Sequence, residues 1–399
     1  MEIEGLYQTS ERLVGDVSQG FYRYFYNKID WELPMVCIKG ARGTGKSTAF
    51  WQYMKSHFKA GEAVYASLDN IWFSEHRLME LADYHYQRGG TYLFIDEVHR
   101  YPYKNWMQEL KNINDSYPRL HVMFTGSSLL KIDNSQADLS RRCIFYNIQG
   151  LSFREYLKFE GVADFPTIKL DDIFTHHLEI AREIASKIKP LKHFNDFLQK
   201  GYYPYYKLHP NTYNAAIQQT VSAIIDDDLR SVEEIETVTV KKVKRLMYIL
   251  SQMVPYTPNI TKLGQTIEAT RNQTSAILQT LERAALIINL YKDSNDMSQL
   301  TKPEKVYLEN TNLMHALSSN VDKGNDRETF FANQLKEGHQ LTFSGDGDFL
   351  IDGQYTIEVG GRNKNYDQIK NLPNSYIASD DIEFGHGNRI PLWLFGFLY

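Results

Sequence analysis

One short segment has residue types suited to holding phosphate groups. Residues 40–47 read Gly-Ala-Arg-Gly-Thr-Gly-Lys-Ser and fit the pattern GxxxxGK[ST]. In such a loop, glycines allow backbone N–H groups to turn toward phosphate oxygens, and the following helix adds the positive end of its dipole. The lysine reaches the β- and γ-phosphates and the serine hydroxyl binds Mg²⁺. The predicted nucleotide contacts are Gly40, Ala41, Arg42, Gly43, Thr44, Gly45, Lys46, Ser47 and Thr48.

The surroundings of this loop favour a functional site over a glycine loop with a surface lysine. An apolar stretch, MVCIK, runs directly into the loop, and a helical stretch, STAFWQYMKSHF, follows it. A strand before the loop and a helix after it are the context that the motif requires. We therefore expect ATP and Mg²⁺ as the ligands.

An acidic pair follows a second apolar stretch. Asp96 and Glu97 come directly after TYLFI, so Asp96 is predicted at the carboxyl end of a buried strand, where open α/β sheets bind ligands. There Asp96 supports Mg²⁺, and Glu97 orients or deprotonates the attacking water. An isolated acidic pair after a strand is a weak signal, but a phosphate loop upstream in the same predicted sheet strengthens it.

Short apolar runs alternate with helical stretches between about residues 30 and 150, which predicts crossover units and a parallel sheet covered on both faces. The fold class is therefore α/β, with a three-layer core. Trp106, Leu110, Ile113 and Tyr117 recur at helical spacing and are expected to line one face of a helix after the third strand. The predicted strands are Met35–Lys39, Ala63–Leu68, Tyr92–Ile95, His121–Thr125 and Cys143–Ile148.

The order of these elements resembles the division of P-loop ATPases that has an additional strand and a catalytic glutamate. AVYASLD, at residues 63–69, lies between the loop strand and the Asp96 strand in the chain, which predicts an extra strand between them in the sheet. Thr125, Ser127 and Ser128 follow the next strand, where such ATPases place a γ-phosphate sensor. Ser128 is the predicted sensor, with capping of the next helix as the alternative.

Several longer stretches resemble a family of prokaryotic AAA-like ATPases that pair an N-terminal ATPase with a C-terminal domain of unknown function. They are DEVHRYPYKNW, FTGSS, ADLSRRCIFYNIQGLSFREYL, KGYYPYYK, KPEKVYLENTNLMHAL and GNDRETFFANQL. The resemblance covers nearly the whole chain. It implies an AAA-like core at 1–150, a helical lid at 151–235, a winged helix at 236–315 and a nuclease-like α/β domain at 316–399.

The same resemblance assigns a role to an arginine. Arg142 corresponds to the arginine of the family's LxGR element, and Arg141 stands in place of the glycine. Near the γ-phosphate of a neighbouring subunit, an arginine offsets charge in the transition state. The alternative is an arginine pair at the surface or beside the sheet. The first interpretation requires a homo-oligomer, and either Arg141 or Arg142 is then the one that acts in trans.

Residues 238–292 carry eight basic and two acidic side chains. The stretch TPNITKLGQTIEATRNQTSAILQTLERAALI within them fits a helix-turn-helix. Its second helix would expose Arg271, Asn272, Gln273, Ser275 and Gln279, which suit phosphate and base-edge contacts. A DNA partner and a protein-docking or merely solvated module are both compatible with this pattern.

The C-terminal region resembles the restriction-enzyme-like nucleases. Glu328 is predicted on a helix, Asp348 at the start of a strand and Glu358 at the end of the next strand. Two carboxylates of such a site hold Mg²⁺ and a lysine stabilises charge at the attacking water. Here Gly360 replaces that lysine, and Arg362 or Lys364 would have to substitute from the following loop. We expect a retained fold without nuclease activity.

Composition excludes several other classes of protein. The chain of 399 residues is 42% hydrophobic and 23% charged, which excludes a disordered or collagen-like protein. Its net charge of −5 indicates no global affinity for nucleic acid, and its two cysteines give neither a disulfide framework nor a metal cage. The acidic N-terminus and the short C-terminal apolar run predict a cytoplasmic protein without a membrane partner.

These observations predict an Mg²⁺-dependent ATPase that works as a nucleotide-driven switch through its C-terminal modules. Lys46, Ser47, Asp96 and Glu97 are the expected phosphate, metal and catalytic residues, with Ser128 and Arg142 as further catalytic groups. Two alternatives remain open: a DNA-processing nuclease gated by ATP, and a nucleotide-binding interaction protein with negligible turnover.

Overall fold

The chain forms two compact units. The structure, a computed structural model, describes residues 2–127, 141–229, 237–292 and 302–399. The N-terminal unit comprises Met1–Gln149 together with Asp227–Glu234, and the C-terminal unit comprises Gly150–Asp226 and Ile235–Tyr399. The N-terminal unit therefore includes a segment from the range predicted as the helical lid. The finer division of the chain at residues 235 and 315 stays a prediction.

A parallel sheet forms the centre of the N-terminal unit and confirms the predicted α/β core. In the described residues its strands lie in the order β2-β3-β4-β1-β5, and neighbouring strands are all parallel. All five strands were predicted from apolar runs. Their bounds are β1 Met35–Gly40, β2 Ala63–Ser67, β3 Tyr92–Asp96, β4 His121–Ser127 and β5 Ile144–Ile148.

An extra strand does lie between the loop strand and the Asp96 strand, but it is not the expected one. β4 separates β1 from β3, whereas β2, the AVYASLD strand, lies at the edge of the sheet. The prediction therefore placed the wrong strand in the interior. Order along the chain does not determine order in a parallel sheet, since each crossover can pass over intervening strands.

Helices cover both faces of this sheet. The helices are α1 Glu4–Asp16, α2 Lys46–His57, α3 Leu78–Gln87 and α4 Trp106–Ser116. Successive strand residues enter opposite cores: Cys37 and Ile95 pack with Leu110 and Ile113 of α4, whereas Ile38 and Phe94 pack with α2 through Phe50. This alternation follows from the two-residue period of a strand and explains why the strands read as continuous apolar runs.

The first part of the C-terminal unit is helical, and an antiparallel strand pair lies between its eleventh and twelfth helices in the numbering of the whole chain. Its helices are α5 Phe153–Phe159, α6 Leu170–Lys187, α7 Pro190–Lys200, α8 Tyr213–Ala223, α9 Thr237–Met253, α10 Ile260–Ile267, α11 Arg271–Arg283, α12 Thr311–Leu317 and α13 Lys323–Leu335. The strand pair is β6 Ile287–Leu290 with β7 Lys305–Leu308. The two helices expected within TPNITKLGQTIEATRNQTSAILQTLERAALI are present as α10 and α11, and β6 and β7 lie where the apolar runs at 287–291 and 306–309 favour a strand pair. None of the helices in the described ranges is long and apolar enough to cross a membrane.

A second sheet ends the chain, with strand order β12-β11-β10-β9-β8. Its strands are β8 Leu341–Phe343, β9 Phe349–Ile351, β10 Tyr355–Gly360, β11 Ser375–Ser379 and β12 Arg389–Pro391. The apolar run at the end of the sequence predicts a final strand at Pro391–Tyr399, and this prediction is wrong in most of its length, because Leu392–Phe397 is a 3₁₀ helix. Every residue of that helix is buried, so it lacks the alternation that separates a strand from a helix in a sequence.

Candidate nucleotide-binding site

The predicted phosphate loop connects the end of β1 to the start of α2. Gly43 and Gly45 have φ angles of 79° and 96°, which lie in the left-handed region that favours glycine. A side chain at Gly40 would meet Ile148 at 2.7 Å, so this position also requires glycine. The hydroxyl of Thr44 donates a hydrogen bond to the carbonyl of Ala41 at 2.8 Å and braces the turn.

Lys46 lies over this loop. Its Nζ donates to the carbonyl oxygens of Gly40 at 2.8 Å and Ala41 at 2.9 Å. Burial lowers the pKa of Lys46, and the negative charges of Glu97 and Asp96 oppose that shift. The lysine is only 6% exposed. A buried ammonium whose partners are neutral carbonyls is a strong site for a phosphate oxygen.

Asp96 collects three hydroxyl groups at the carboxyl end of β3. Ser47 donates to its Oδ2 at 2.5 Å and Tyr65 donates to the same oxygen at 2.7 Å. Thr125 donates to Oδ1. The aspartate is 4% exposed and lies beside the first turn of α2. A carboxylate adjacent to a serine hydroxyl offers the hard oxygen ligands that Mg²⁺ prefers, so these residues fit the expected metal.

Glu97 follows in a strained turn. It has a φ of 56°, in the left-handed region, and its N–H lies 3.1 Å from the hydroxyl oxygen of Thr125. Its side chain is 21% exposed, and Oε2 lies 3.3 Å from Nε2 of His99. Non-glycine residues in this region cost free energy and are common at active sites.

The structure brings together some of the other predicted residues and separates others. Arg42 is partly buried and Thr48 is exposed on the first turn of α2. Ser128 lies outside the described residues. Arg142 forms an ion pair with Asp115 of the same chain, with its Nε 2.9 Å from Oδ1. The loop, Asp96 and Glu97 therefore form one site, whereas the described contacts of Arg142 place it with Asp115.

Three contributors to this site did not follow from the sequence. Tyr65 reaches Asp96 from the edge strand β2, and Thr125, noted only as part of a sensor region, reaches it from β4. Arg23 is 6% exposed and donates to the carbonyls of Thr44 and Gln149, the latter at 2.9 Å. An arginine buried behind the phosphate loop has no local sequence signal, because its partners are backbone carbonyls of distant residues.

A family match covers this site. Residues 32–157 match the model of an AAA domain. Together with the parallel sheet, the match shows that the N-terminal unit has the α/β core of a P-loop ATPase. Residues 191–324 match a second model, described as a domain of unknown function (DUF8612).

One related protein and three solved structures resemble the chain at low sequence identity. An uncharacterized protein of Methanocaldococcus jannaschii is 24% identical over an aligned length of 390 residues, with 88% of this chain and 80% of that protein covered. A katanin structure is 14% identical, covers 43% of this chain and 63% of its own, and has a TM-score of 0.26. The structure of AMPPCP-bound DnaA from Aquifex aeolicus is 14% identical, with 71% of this chain and 89% of that chain covered and a TM-score of 0.24. A structure of Hsp104 is also 14% identical, with 69% of this chain and 53% of that chain covered and a TM-score of 0.31.

These scores are too low to transfer an activity, a ligand or an assembly to this chain. The chain also spans less than two thirds of the katanin and Hsp104 chains that it matches.

Beyond the AAA domain, the predicted nuclease-like residues lie in one cluster of the C-terminal unit. Nζ of Lys305 lies 3.2 Å from Oε2 of Glu328 and 2.9 Å from Oδ1 of Asp348. Burial lowers and these two carboxylates raise the pKa of Lys305, with a net increase. Within the described ranges, no group of three or more potential His, Cys, Asp or Glu ligands is arranged to hold a metal ion. Lys305 therefore forms ion pairs with both carboxylates, Glu328 and Asp348.

Lys364 occupies the space above Gly360. A Cβ at Gly360 would meet the Lys364 side chain at 2.6 Å, and Nζ of Lys364 lies 2.5 Å from Oε1 of Glu358. Burial raises the pKa of Glu358, and Lys364 opposes the increase. The resemblance to nucleases leads one to expect a lysine at position 360, and Lys364 fills that space instead. Of the two substitutes considered from the sequence, Lys364 contacts Glu358, whereas no contact of Arg362 with Glu358 is described.

Proposed function

We propose that the chain binds ATP with Mg²⁺ and hydrolyses the bond to the γ-phosphate. The observation that carries the proposal is the 2.5 Å contact between the hydroxyl of Ser47, on the phosphate loop, and the carboxylate of Asp96, with Glu97 next in the chain. A phosphate loop alone accounts for nucleotide binding. The additional acidic pair at the same edge of the sheet supports hydrolysis.

Binding is assigned to the loop and the start of α2. Backbone N–H groups from Gly43 to Ser47 and the N-terminus of α2 would hold the phosphate oxygens. Lys46 would exchange its two carbonyl partners for the β- and γ-phosphates, which satisfies its buried charge better than neutral oxygens do. Ser47 and Asp96 would hold Mg²⁺, and the metal ion would neutralise the charge that develops on the phosphate oxygens.

Catalysis is assigned to Glu97. Its carboxylate would accept a proton from the attacking water as the water oxygen bonds to the γ-phosphorus and the bond to the β–γ bridging oxygen breaks. The products are ADP and inorganic phosphate. The Thr125 hydroxyl would help to hold the acidic pair in place, since it donates to Asp96 and accepts a hydrogen bond from the N–H of Glu97. Ser128 stays the proposed γ-phosphate sensor.

Phosphate release from ATP, measured with Mg²⁺ and with excess EDTA, tests the proposal. We expect Mg²⁺-dependent turnover that Glu97→Gln lowers by about 100-fold or more, because general base catalysis contributes about 10²- to 10⁴-fold. A purified protein that neither binds nor hydrolyses ATP would overturn the proposal. Tight ATP binding without phosphate release would instead support a nucleotide-binding interaction protein.

The wider role is a nucleotide-driven switch. The C-terminal unit would change its partner affinity with the nucleotide state of the AAA domain, through a helical lid, a winged helix and a nuclease-like domain. The order of α9, α10, α11, β6 and β7 supports the winged helix, since three helices and a strand pair are its elements. Homo-oligomerisation with Arg142 in trans is part of this proposal.

DNA binding by the winged helix is a second candidate function. Arg271, Asn272 and Gln273 are exposed at the start of α11, and Gln279 is exposed further along the same helix. Side chains of these types suit phosphate and base-edge contacts at the beginning of a recognition helix. Nuclease activity is favoured less, because Lys305 neutralises Glu328 and Asp348.

A further inference from the structure

A buried aspartate from a distant part of the chain completes the surroundings of Glu97. Asp228 is 2% exposed and lies in Asp227–Glu234, the segment that belongs to the N-terminal unit although the chain on both sides of it belongs to the C-terminal unit. Leu229, next to Asp228, is fully buried. A buried carboxylate requires charged or hydrogen-bonding partners, and His99 and Arg100 of the AAA domain are among those of Asp228.

Two of these partners follow Glu97 by two and three positions in the chain. Nη2 of Arg100 donates to Oδ1 of Asp228 at 2.6 Å. Nε2 of His99 lies 3.6 Å from the same oxygen and 3.3 Å from Oε2 of Glu97. One edge of the His99 ring therefore faces two carboxylates. The ring itself has a side chain exposure of 1%, so it is fixed by its surroundings and unable to turn freely.

Arg42 of the phosphate loop also influences the charge of Asp228. Burial raises the pKa of Asp228, but the hydrogen bond from His99 and the charges of Arg42 and Arg100 lower it overall, so Asp228 is a carboxylate near neutral pH. Asp228 in turn favours the charged form of Lys46. The aspartate is therefore part of the electrostatic surroundings of the phosphate site, although it is remote in sequence.

We propose that His99 and Asp228 are positioning residues for ATP hydrolysis: His99 orients the carboxylate of Glu97, and Asp228, held by Arg100, fixes His99. Neither residue touches the nucleotide in this scheme. The inference rests on the proposed function, and it adds that the catalytic site is incomplete without a segment that the C-terminal part of the chain supplies. The chain on both sides of this segment belongs to the C-terminal unit.

The test compares Asp228→Asn and His99→Gln with the full-length wild type. Asp228→Asn removes a charge at nearly constant volume, and His99→Gln replaces the imidazole ring by an amide of similar size. We expect kcat to fall by roughly 10- to 100-fold, as for residues that orient a catalytic group, with KM and the Kd for a fluorescent ATP analogue within about twofold of wild type. Asp227→Asn is the matched control, because Asp227 is 55% exposed and 3.8 Å from Arg100; its kcat should stay within about twofold.

A double mutant separates positioning from a structural role. If Asp228 acts through Glu97, adding Asp228→Asn to Glu97→Gln should change single-turnover hydrolysis by less than about twofold, since residues that act as a unit are not additive. An unchanged kcat in the single variants, a KM that rises as much as kcat falls, or a full additional loss in the double mutant would overturn the inference. Should Asp228→Asn fail to fold, His99→Gln carries the same comparison.

Wild-type turnover and the effect of Glu97→Gln are measured in the same series. A wild type without turnover defeats the proposed function and this inference with it. An active wild type that depends on Glu97 but not on Asp228 or His99 defeats the inference alone.

Discussion

The hydroxyl oxygen of Ser47 lies 2.5 Å from Oδ2 of Asp96, although 49 positions separate the two residues in the chain. Ser47 is in the first turn of α2 and Asp96 ends β3. Because β1 and β3 are parallel strands of one sheet, the loop that leaves β1 and the last residue of β3 meet at the same edge. The contact joins the phosphate loop to the acidic pair, and the first prediction concerns it.

Asp96→Asn should abolish Mg²⁺-dependent turnover and leave ATP binding largely intact. The amide keeps the shape and one oxygen but loses the charge that holds the metal, and metal-assisted charge stabilisation is worth several kcal/mol, so we expect kcat to fall by at least about 100-fold. Phosphate release and nucleotide titration across Mg²⁺ concentrations measure both quantities. Asp69→Asn, an exposed aspartate just after β2, is the control. Equal turnover in the two variants would contradict a metal role for Asp96.

Lys46→Ala should weaken ATP binding itself. Hydrogen bonds to charged groups contribute about 1.5–3 kcal/mol each, so loss of the ammonium should raise the Kd for ATP by about 10- to 150-fold. Lys55→Ala removes a lysine from the last turn of the same helix, where it donates to the carbonyls of Gly15 and Val17. That control should bind ATP like the wild type. Matching affinities for the two variants would exclude the phosphate role of Lys46.

The part of the site that was predictable from the sequence is local. The phosphate loop requires glycine at Gly43 and Gly45 because of their φ angles, and such requirements appear as a motif. Asp96 and Glu97 followed from an apolar run that ends in acids. Tyr65 and Asp228 were not predictable, since neither lies near a motif and both approach through the order of strands or through a segment distant in the chain.

Errors in the fold prediction have a similar origin. The terminal run was predicted as a strand, but Leu392–Phe397 is a 3₁₀ helix, and its uniform burial removes the period that distinguishes the two. The interior position of β4 instead of β2 depends on crossover connections, which leave no periodic signal. Lys364 was one of two residues that could substitute for the lysine missing at position 360, and the path of the loop after β10 determines that Lys364 is the one that contacts Glu358.

The role of Arg142 in trans can be tested by mixing two inactive variants. A site formed by Glu97 of one subunit and Arg142 of its neighbour is intact in mixed oligomers of Glu97→Gln and Arg142→Ala chains. Because an arginine finger contributes about 10³- to 10⁵-fold to turnover, we expect the mixture to exceed either variant alone by at least about tenfold. Phosphate release at fixed total protein measures this.

Asp115→Ala is the control for that experiment. Asp115 is the ion-pair partner of Arg142 in the same chain, and the arginine lowers its pKa. If Arg142 serves only this ion pair, Arg142→Ala and Asp115→Ala should turn over ATP equally and mixing should add nothing. That result would remove Arg142 from the catalytic residues.

Lys305→Met should destabilise the C-terminal unit in a pH-dependent way. Removing one partner of a fully buried ion pair costs about 3–5 kcal/mol because the remaining charge is uncompensated, and we expect a smaller loss here because Lys305, Glu328 and Asp348 are only partly buried. Glu328 has a raised pKa through burial and the nearby charge of Asp348, and loss of Lys305 raises it further. Glu328 is charged at pH 8 and increasingly protonated as the pH falls, so the loss of stability should be larger at pH 8 than at pH 5.

Urea unfolding at both pH values measures the effect of Lys305→Met. Lys323→Met replaces an exposed lysine at the start of α13 and should change the free energy of unfolding by less than about 0.5 kcal/mol. A destabilisation by Lys305→Met that is equal at the two pH values would show that packing of the side chain, and not its charge, stabilises this cluster.

The DNA-binding proposal predicts a salt-dependent affinity for duplex DNA that depends on α9. Lys241 is exposed, whereas Nζ of Lys244 lies 2.7 Å from Asp226 and is already paired. Each phosphate contact adds about −0.9 to the slope of log K against log salt concentration. Lys241→Glu should therefore weaken binding and reduce the slope by about one, whereas Lys244→Glu, the control, should have a smaller effect. Fluorescence anisotropy at several salt concentrations measures both. Absence of binding at low salt, or equal effects of the two substitutions, would favour a protein partner for this module.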